Sequence, residues 1–245
     1  MELHNHNDHE LYPSPKRIRV VLGGLVIADS WSVIVLLHEH GLPVYYFPFE
    51  DIRQGVLSES GHLEDVHSRG TQRFYNVRCN GSERCNAAWE YVNLAPGLAG
   101  LEHHVAFDWP AMDAWFEEDE EVYVHARDPR KRIDTALSSS HVRVLADDVV
   151  VADSLRPVFL FETGMETRYY LPKLDVRLQF LIPSTHVTYC PYKGEAHYFS
   201  LRLGSDLIEN VVWYYRYPTP GVAAIAGLLC FFQDRVAVEV DGDRV

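Results

Sequence analysis

Short apolar runs recur along the whole chain, separated by polar and turn-forming residues. Residues 19–22, 33–37 and 198–203 are examples, and each run is rich in β-branched and aromatic side chains. Runs of this length and composition are typical of β-strands, whereas an amphipathic helix needs a longer segment with a period near 3.6 residues. The pattern therefore predicts a mainly β fold in which helix is scarce.

The apolar pattern occurs twice along the chain. Shifting the sequence by 124 positions aligns its halves without a gap over about eighty residues. Residues 26–30 then match 150–154, and residues 86–89 match 210–213. So many matches in one register indicate two tandem copies of one compact β-rich domain. We predict a polar N-terminal tail, a first copy, a charged linker and a second copy, with the respective bounds 1–16, 17–116, 117–140 and 141–240.

Turn-forming residues predict hairpins and one short helix in each copy. Asn80-Gly81 and the aligned Gly204-Ser205 lie between strand-like runs, as the central residues of tight hairpin turns do. Near the end of each copy, Pro96 and Pro220 begin segments in which a helix can start after a proline. We predict the short helix of each copy at these positions.

The charge balance is acidic. The chain has 22 Lys and Arg residues against 35 Asp and Glu residues, a formal net charge of -13. The averaged field repels nucleic-acid phosphates and anionic lipid head groups, so we expect neither nucleic acid nor a membrane as partner. The longest apolar run, residues 221–232, is shorter than the ~20 residues of a membrane-spanning helix, and we predict a buried element there.

The cysteines and the first residues favour a cytoplasmic protein. Cys79, Cys85, Cys190 and Cys230 show no two-residue spacing of the kind found in zinc knuckles or thioredoxin-like pairs. We expect reduced thiols, because a turn at Asn80-Gly81 would place Cys79 and Cys85 on opposite faces of the hairpin. The N-terminus has neither the basic region nor the apolar stretch of a signal peptide.

Two polar segments could bind a metal or a partner, although each is more simply explained as a solvated segment. His4, His6 and His9 have side chains that could bind a transition metal, but a polar terminal segment is more often a solvated tail. The acidic run 117–121 could be a docking patch, although a solvated connecting face is its ordinary explanation. We therefore predict no metal site and no cofactor.

Comparing the two copies separates scaffold residues from candidate site residues, because a residue kept in both serves the shared fold more often than a site. Gly70 and Gly194 align, and we expect each at a positive φ or against a close backbone segment. Trp89 and Trp213 align and fit core or interface aromatics, with stacking platforms as the alternative.

An Asp and an Arg two residues apart also occur in both copies, as Asp51 with Arg53 and as Asp175 with Arg177. At this spacing two side chains on a strand point to one face. We expect them to pair laterally or to bind a polar ligand.

The sharpest difference between the copies is at Cys190 and Lys193, where the first copy has Val66 and Arg69. A lysine beside a cysteine lowers the pKa of the thiol and favours the reactive thiolate, provided that both side chains face one cavity. In the alternative interpretation, Cys190 is a small buried apolar residue and Lys193 is solvated. The difference directs the search for a site to the second copy and makes the first a degenerate companion.

Four segments, residues 168–177, 188–196, 209–215 and 222–227, span nearly the whole second copy. In these segments the copy resembles the bacterial domain of unknown function 427 family. The resemblance implies a two-copy bacterial protein with a fold similar to β-tent domains, some of which bind zinc through paired cysteines that this chain lacks. The nucleotidyltransferase label of the family implies magnesium-binding carboxylates and a phosphate cradle. The sequence shows neither, and Gly23-Gly24 is better explained as a hairpin turn.

Three functions remain open. The first is a binding module for a small polar molecule or a peptide end. Aromatic walls with a few convergent polar groups are typical of ligand pockets. The candidate binding residues are Arg168, Tyr169, Tyr170, Asp175, Arg177, Lys193, Asn210, Trp213 and Tyr215.

The second function is a cysteine-dependent enzyme acting on a small polar metabolite. Cys190 would be its nucleophile, Lys193 would lower the pKa of the thiol, and His186 or His197 would be its general base. His197 is the better base, because His186 aligns with His62 in the copy that lacks the thiol. The third function is a structural or assembly protein, with homo-oligomerisation as a possible consequence.

Overall fold

The computed structural model describes residues 9–38, 41–66 and 69–245. The chain divides into two compact units, Met1–Pro129 and Arg130–Val245. Both consist mainly of β-strands, and their only helices among the described residues are short 3₁₀ turns. The predicted mainly β fold with two tandem copies is therefore confirmed.

The first unit contains eleven strands and three 3₁₀ helices among its described residues. Its strands are β1 His9–Pro13, β2 Ile18–Leu22, β3 Leu25–Ser30, β4 Ile34–His38, β5 Val44–Pro48, β6 Leu57–Val66, β7 Gly70–Cys79, β8 Ser82–Val92, β9 His104–Phe107, β10 Ala114–Glu117 and β11 Glu120–Glu121. Its 3₁₀ helices are Phe49–Asp51, Ala99–Leu101 and Trp109–Ala111. The strands form a seven-stranded sheet of order β1-β4-β5-β9-β8-β7-β6 and a four-stranded sheet of order β11-β10-β2-β3.

The second unit repeats this architecture strand for strand. Its strands are β12 Ile133–Leu137, β13 Val142–Ala146, β14 Val149–Ser154, β15 Val158–Glu162, β16 Arg168–Tyr170, β17 Leu181–Cys190, β18 Gly194–Leu203, β19 Asp206–Tyr215, β20 Cys230–Phe231, β21 Ala237–Val240 and β22 Asp243–Arg244. Its 3₁₀ helices are Lys173–Asp175, Leu178–Phe180 and Pro220–Ile225. A bridge between Leu171 and Leu229 joins β12-β15-β16 to β20-β19-β18-β17, which reproduces the strand order of the large first sheet.

The central strands of the large sheet in each unit are buried on both faces, which explains their apolar runs, whereas the edge strands β6 and β17 are largely exposed. In β4, Val35 and Leu37 join the core shared with the small sheet, while Leu36 joins a second cluster on the other face. Alternate residues of a strand point to opposite faces, so one strand serves both clusters. In the second unit the corresponding outer cluster contains Tyr170 and Trp213. The candidate site lies at this outer cluster.

The segments predicted as tail and linker differ from expectation. Residues 9–13 form β1 at the edge of the large sheet, paired with β4, while His4 and His6 lie outside the described residues. Within 117–140, β11 and β12 are strands of the two units, and Glu117 is buried. The Glu117 carboxylate accepts hydrogen bonds from Lys16, Arg127 and Tyr45, so a charged residue in a sequence block can be an internal pairing partner.

The hairpins form where the turn residues predicted them. Asn80 and Gly81 both have positive φ, at 48° and 81°, and Cys79 pairs with Ser82 across the turn. Gly204 supplies the positive φ in the second copy. The expectation of one helix per copy was incomplete, because the described part of each copy contains three 3₁₀ turns, one of them at Pro220–Ile225. These turns are too short to show the helical period in the sequence.

The aligned glycines occupy the conformation that was predicted for them. Gly70 has φ 120° and Gly194 has φ 96°. A Cβ on Gly70 would lie 2.6 Å from the Asn93 carbonyl oxygen, whereas at Gly194 the nearest atom, the Tyr217 oxygen, is 3.3 Å away. A side chain is therefore excluded more strongly in the first copy.

The apolar run 221–232 is only partly buried: Val222, Ile225 and Leu229 lie inside the second unit, whereas Ala223, Ala224 and Ala226 are exposed. None of the helices among the described residues has the length and apolar character needed to cross a membrane. All four cysteines are free thiols, with Cys79 buried and Cys85 exposed.

Candidate functional site

The strand register brings Cys190 to the aromatic face of the second copy. Cys190 pairs with Gly194 at the end of the β17–β18 ladder, and Ala196 pairs with Tyr215 in β19. Directly paired residues share a face, and so do residues two apart on one strand. Cys190 therefore lies on the same face as Tyr215 and Trp213. Its side chain is partly exposed.

A buried carboxylate organises the charges beside this face. Glu162, at the end of β15, is paired with the Lys193 ammonium, and its other oxygen lies 3.0 Å from Lys131 Nζ. The side chain of Glu162 is only 8% exposed. Burial alone would raise the pKa of Glu162, but the hydrogen bonds and charges of Lys193 and Lys131 outweigh it and lower the pKa below the ordinary value.

The floor of the site is a hydrogen-bonded pair of aromatic residues. Trp213 Nε1 donates to the Tyr170 hydroxyl at 3.1 Å, and both side chains are buried. Burial, and then the nearby thiol groups, raise the pKa of Tyr170. Burial, followed by the Cys190 thiol, raises the pKa of Tyr215 as well. Both hydroxyls therefore stay protonated and able to donate hydrogen bonds.

The Lys193 ammonium forms its ion pair with Glu162 rather than with the Cys190 thiol. The backbone N–H of Lys193 donates to the Cys190 carbonyl at 3.4 Å, as in a tight turn, but its ammonium is ion-paired with the Glu162 carboxylate. The site thus holds two lysines and one carboxylate, a net charge of +1 that is shared over a short network. An ammonium already neutralised by a carboxylate has less effect on the pKa of a neighbouring thiol.

Neither histidine offered as general base is beside Cys190. His197 faces the opposite side of β18, where its Nε2 lies 2.9 Å from Glu195 and its ring packs on Tyr214. His186 packs against the Tyr198 ring, four residues before Cys190 on the same strand. At about 3.3 Å per residue, that separation is roughly 13 Å. The nucleophile and general-base arrangement therefore does not form in this structure.

Four of the predicted binding residues lie away from the site. Tyr169 packs edge-on against Phe159 on the opposite face of the sheet from Tyr170. Asp175 is in a 3₁₀ turn instead of a strand, and it pairs with Arg156 at 2.8 Å rather than with the exposed Arg177. The two-residue spacing was misleading because a 3₁₀ turn does not keep the alternation of a strand.

Asn210 is the fourth, and its role is structural. It occupies a bulge of β19 with φ 52°, and Asn86 occupies the aligned bulge with φ 51°. Asparagine adopts this left-handed conformation more readily than most residues. The Asn210 backbone N–H donates to Ser200 and its side chain accepts from Ser184, so it ties three strands together.

Arg168 lies at the rim of the site. Its guanidinium is 5.9 Å from the centre of the Trp213 ring and donates to Gln233 at 2.8 Å. The structure thus brings together Cys190, Lys193, Tyr170, Trp213 and Tyr215, with Arg168 beside them.

Sequence reasoning missed Glu162 and Lys131. The signal for Glu162 was a single acidic residue ending the apolar strand 158–162, at a position where the first copy has His38. Lys131 was overlooked because it lies in the segment taken for a linker. In the described part of the chain, no three His, Cys, Asp or Glu side chains are grouped so as to hold a metal ion.

The first copy keeps more of this arrangement than a degenerate site would. Trp89 Nε1 donates to the Tyr46 hydroxyl at 3.0 Å, as Trp213 does to Tyr170. Arg69 replaces Lys193 and donates to the Tyr91 hydroxyl at 3.3 Å. The first copy therefore retains the cation and the aromatic floor, and it differs in having His38, Val66 and Ala106 where the second has Glu162, Cys190 and Cys230.

Comparison with known proteins agrees with the duplication. No curated protein matches the sequence. One family model, described as a domain of unknown function (DUF427), matches residues 10–118 and again residues 134–242. These two ranges cover most of the chain and correspond to the two structural units. The chain therefore belongs to the DUF427 family and carries two tandem copies of its domain.

Proposed function

We propose that the second copy is a binding module for a small polar molecule that carries a carboxylate, the C-terminal end of a peptide included. The observation that supports this is the Glu162 carboxylate held between the ammonium groups of Lys131 and Lys193. Two cations on one carboxylate leave one positive charge in a chain whose formal net charge is -13. A ligand carboxylate would complete the network.

The surroundings of the lysines favour an organic acid over a bare ion. Lys131 Nζ lies 5.3 Å from the centre of the Tyr192 ring, and its side chain is 28% exposed, so a ligand can approach it from solvent. The protonated hydroxyl of Tyr215 adds a hydrogen-bond donor beside the charges. Aromatic walls with a few convergent polar groups are the ordinary composition of small-molecule sites.

The test compares carboxylates with their amides. Acetate, N-acetylglycine and N-acetyltyrosine should raise the melting temperature of the full chain, whereas acetamide and the two matching amides should not. A ligand at 100 times its dissociation constant stabilises the folded state by about 2.7 kcal/mol. Stabilisation by acids and amides alike, or by neither, would contradict the proposal.

Two variants assign the effect to the site. Lys131→Gln leaves the buried Glu162–Lys193 pair intact and should weaken carboxylate binding at least tenfold. Lys173→Gln is the matched control, because this lysine is in the same copy but lies over the Tyr214 ring on the opposite face. Equal losses in the two variants would mean that carboxylates bind through general charge attraction.

A further inference from the structure

A cleft of about 690 Å³ opens in the first copy, beside Tyr91, which aligns with Tyr215 of the second-copy site. Phe49, Tyr91 and Leu94 contribute apolar surface to it, and Glu90 and Glu102 contribute carboxylates. Its volume falls within the range of about 300–1,000 Å³ that is usual for small-molecule pockets. Neither the sequence comparison nor the proposed function assigns any role to it.

Among the described residues, only one of the two Glu90 carboxylate oxygens accepts hydrogen bonds from the protein. The Glu90 side chain is 12% exposed, and one oxygen, Oε1, accepts from both Arg73 at 3.2 Å and the Tyr75 hydroxyl at 2.5 Å. Across the described residues, no hydrogen bond is made to the other oxygen, Oε2. An ionised carboxylate has about four acceptor positions. A mostly buried carboxylate with an unused oxygen at a cleft favours a ligand that donates hydrogen bonds.

The second copy shows which residues occupy the position aligned with this cleft. Tyr214 aligns with Glu90, and Lys173 and Arg216 align with Phe49 and Val92. The Lys173 ammonium lies 5.1 Å and the Arg216 guanidinium 6.0 Å from the centre of the Tyr214 ring. The second copy therefore places two of its own cations here, each within the range of a cation–π contact.

In the first copy those two cations are replaced by apolar side chains, and the ring is replaced by a carboxylate. Arg73 offsets one of the two acidic groups at the cleft, Glu90 and Glu102, so the lining keeps a negative charge. The overall charge of -13 adds a field that attracts cations. Apart from Arg73, which is paired with Glu90, the lining of the cleft thus lacks the cations that the second copy places at the aligned position.

We infer that this cleft is a second ligand site, which binds a small organic ammonium compound with an apolar body. The ammonium donates to Glu90 Oε2, and the apolar body packs against Phe49 and Leu94. The site is separate from the carboxylate site of the second copy, so either can fail without the other.

The experiment titrates two isosteric probes into the full chain by calorimetry: phenethylamine, which is cationic at pH 7.5, and 2-phenylethanol, which is neutral. An anionic probe is left out, because the proposed carboxylate site of the second copy would bind it. The amine should bind at about millimolar concentration or better. The alcohol should bind at least tenfold more weakly. No heat from the amine at millimolar concentration, or equal binding of the two probes, would overturn the inference.

Three variants complete the test. Glu90→Gln keeps an acceptor for Arg73 and Tyr75 but removes the charge, and it should weaken amine binding at least tenfold. Phe49→Lys introduces the second-copy residue and should abolish binding by supplying an internal cation. Glu83→Gln is the control, because this exposed carboxylate lies on the same strand, outside the cleft, and pairs with Arg78. This variant should bind the amine as the wild type does. Undiminished binding in Glu90→Gln and Phe49→Lys would place the amine elsewhere and reject the site.

Discussion

The two copies have an aligned cation, Lys193 in the second and Arg69 in the first, but they differ in the group that lies beside it. In the second copy, Lys193 is neutralised by the buried Glu162. In the first, Arg69 stands in its place and His38 replaces the carboxylate, and burial together with the Arg69 charge lowers the pKa of His38 to about 4. The neutral imidazole of His38 can be buried without a counterion, whereas the Glu162 carboxylate is stable there only when it is paired with lysines. The same fold therefore accommodates either a neutral or a charged side chain at this position.

The largest expected difference between the copies concerns the aligned glycines. Gly70→Ala should lower the free energy of unfolding by about 4 kcal/mol, because the new Cβ adds a backbone clash to the cost of a positive φ. Gly194→Ala should cost about 2 kcal/mol, since its nearest neighbour is 3.3 Å away rather than 2.6 Å. Urea unfolding of both variants measures the difference. Equal losses of stability in the two variants would show that the backbone around Gly70 moves to accommodate the new methyl group.

The buried carboxylate gives the next effect. Glu162→Gln should lower the free energy of unfolding by about 3 kcal/mol, because it leaves Lys193, 13% exposed, without its anion. His38→Gln, the aligned change in the first copy, removes no ion pair and should cost less than about 1 kcal/mol. The same urea measurement compares them. A loss below about 1 kcal/mol for Glu162→Gln would mean that solvent already screens the pair.

The aromatic floor should respond similarly in both copies. Trp213→Phe removes the indole N–H that donates to the buried Tyr170 hydroxyl and should cost about 2 kcal/mol. Trp89→Phe removes the same bond to Tyr46 but should cost slightly less, because Trp89 is partly exposed and water can replace its donor. Thermal unfolding tests the order. A larger loss in the first copy would contradict the shared role of the pair.

The fold was predictable from the sequence because its signals are local or repeated. Strand runs, hairpin turns and the duplication all follow from residue type and spacing, and Asn80-Gly81 formed its predicted turn. The candidate site was only half predictable. The difference at Cys190 and Lys193 indicated the correct strand ends, but Glu162 reaches Lys193 across 31 positions of sequence, and such a pairing has no local signal.

The failures at Asp175 and Asn210 have a common physical cause. Both residues are kept or mirrored between the copies, and both hold the backbone in irregular conformations, a 3₁₀ turn and a bulge. A polar side chain that serves a backbone irregularity has the same sequence appearance as one that serves a ligand. Only the strand register shows on which face of the sheet a side chain lies, as it does for His197. The similarity to β-tent domains stays a prediction.

The smallest expected effect is a difference in acid sensitivity between the copies. The pKa of His38 is lowered from 6.5 to about 4, so as the pH falls through 6.5 the unfolded chain takes up a proton that the folded chain refuses. Stability due to this histidine is therefore lost between about pH 6.5 and 4. The pKa of Glu162 is lowered from 4.5, so its contribution persists above that pH and is lost only as the pH falls further, through the folded pKa.

Melting temperatures measured from pH 8 to 3 separate these two windows. His38→Gln should flatten the profile between about pH 6.5 and 4 and leave the lower part unchanged, whereas Glu162→Gln should flatten only the part below about pH 4.5. Arg69 and His9 also lower the pKa of His38 in the folded chain, so Arg69→Gln should narrow the upper window by raising its lower limit above about pH 4, while its upper limit near pH 6.5 stays fixed by the unfolded chain. If His38→Gln followed the wild-type curve throughout, the imidazole would not be the group that replaces the carboxylate electrostatically. The contrast between the copies would then rest on Glu162 alone.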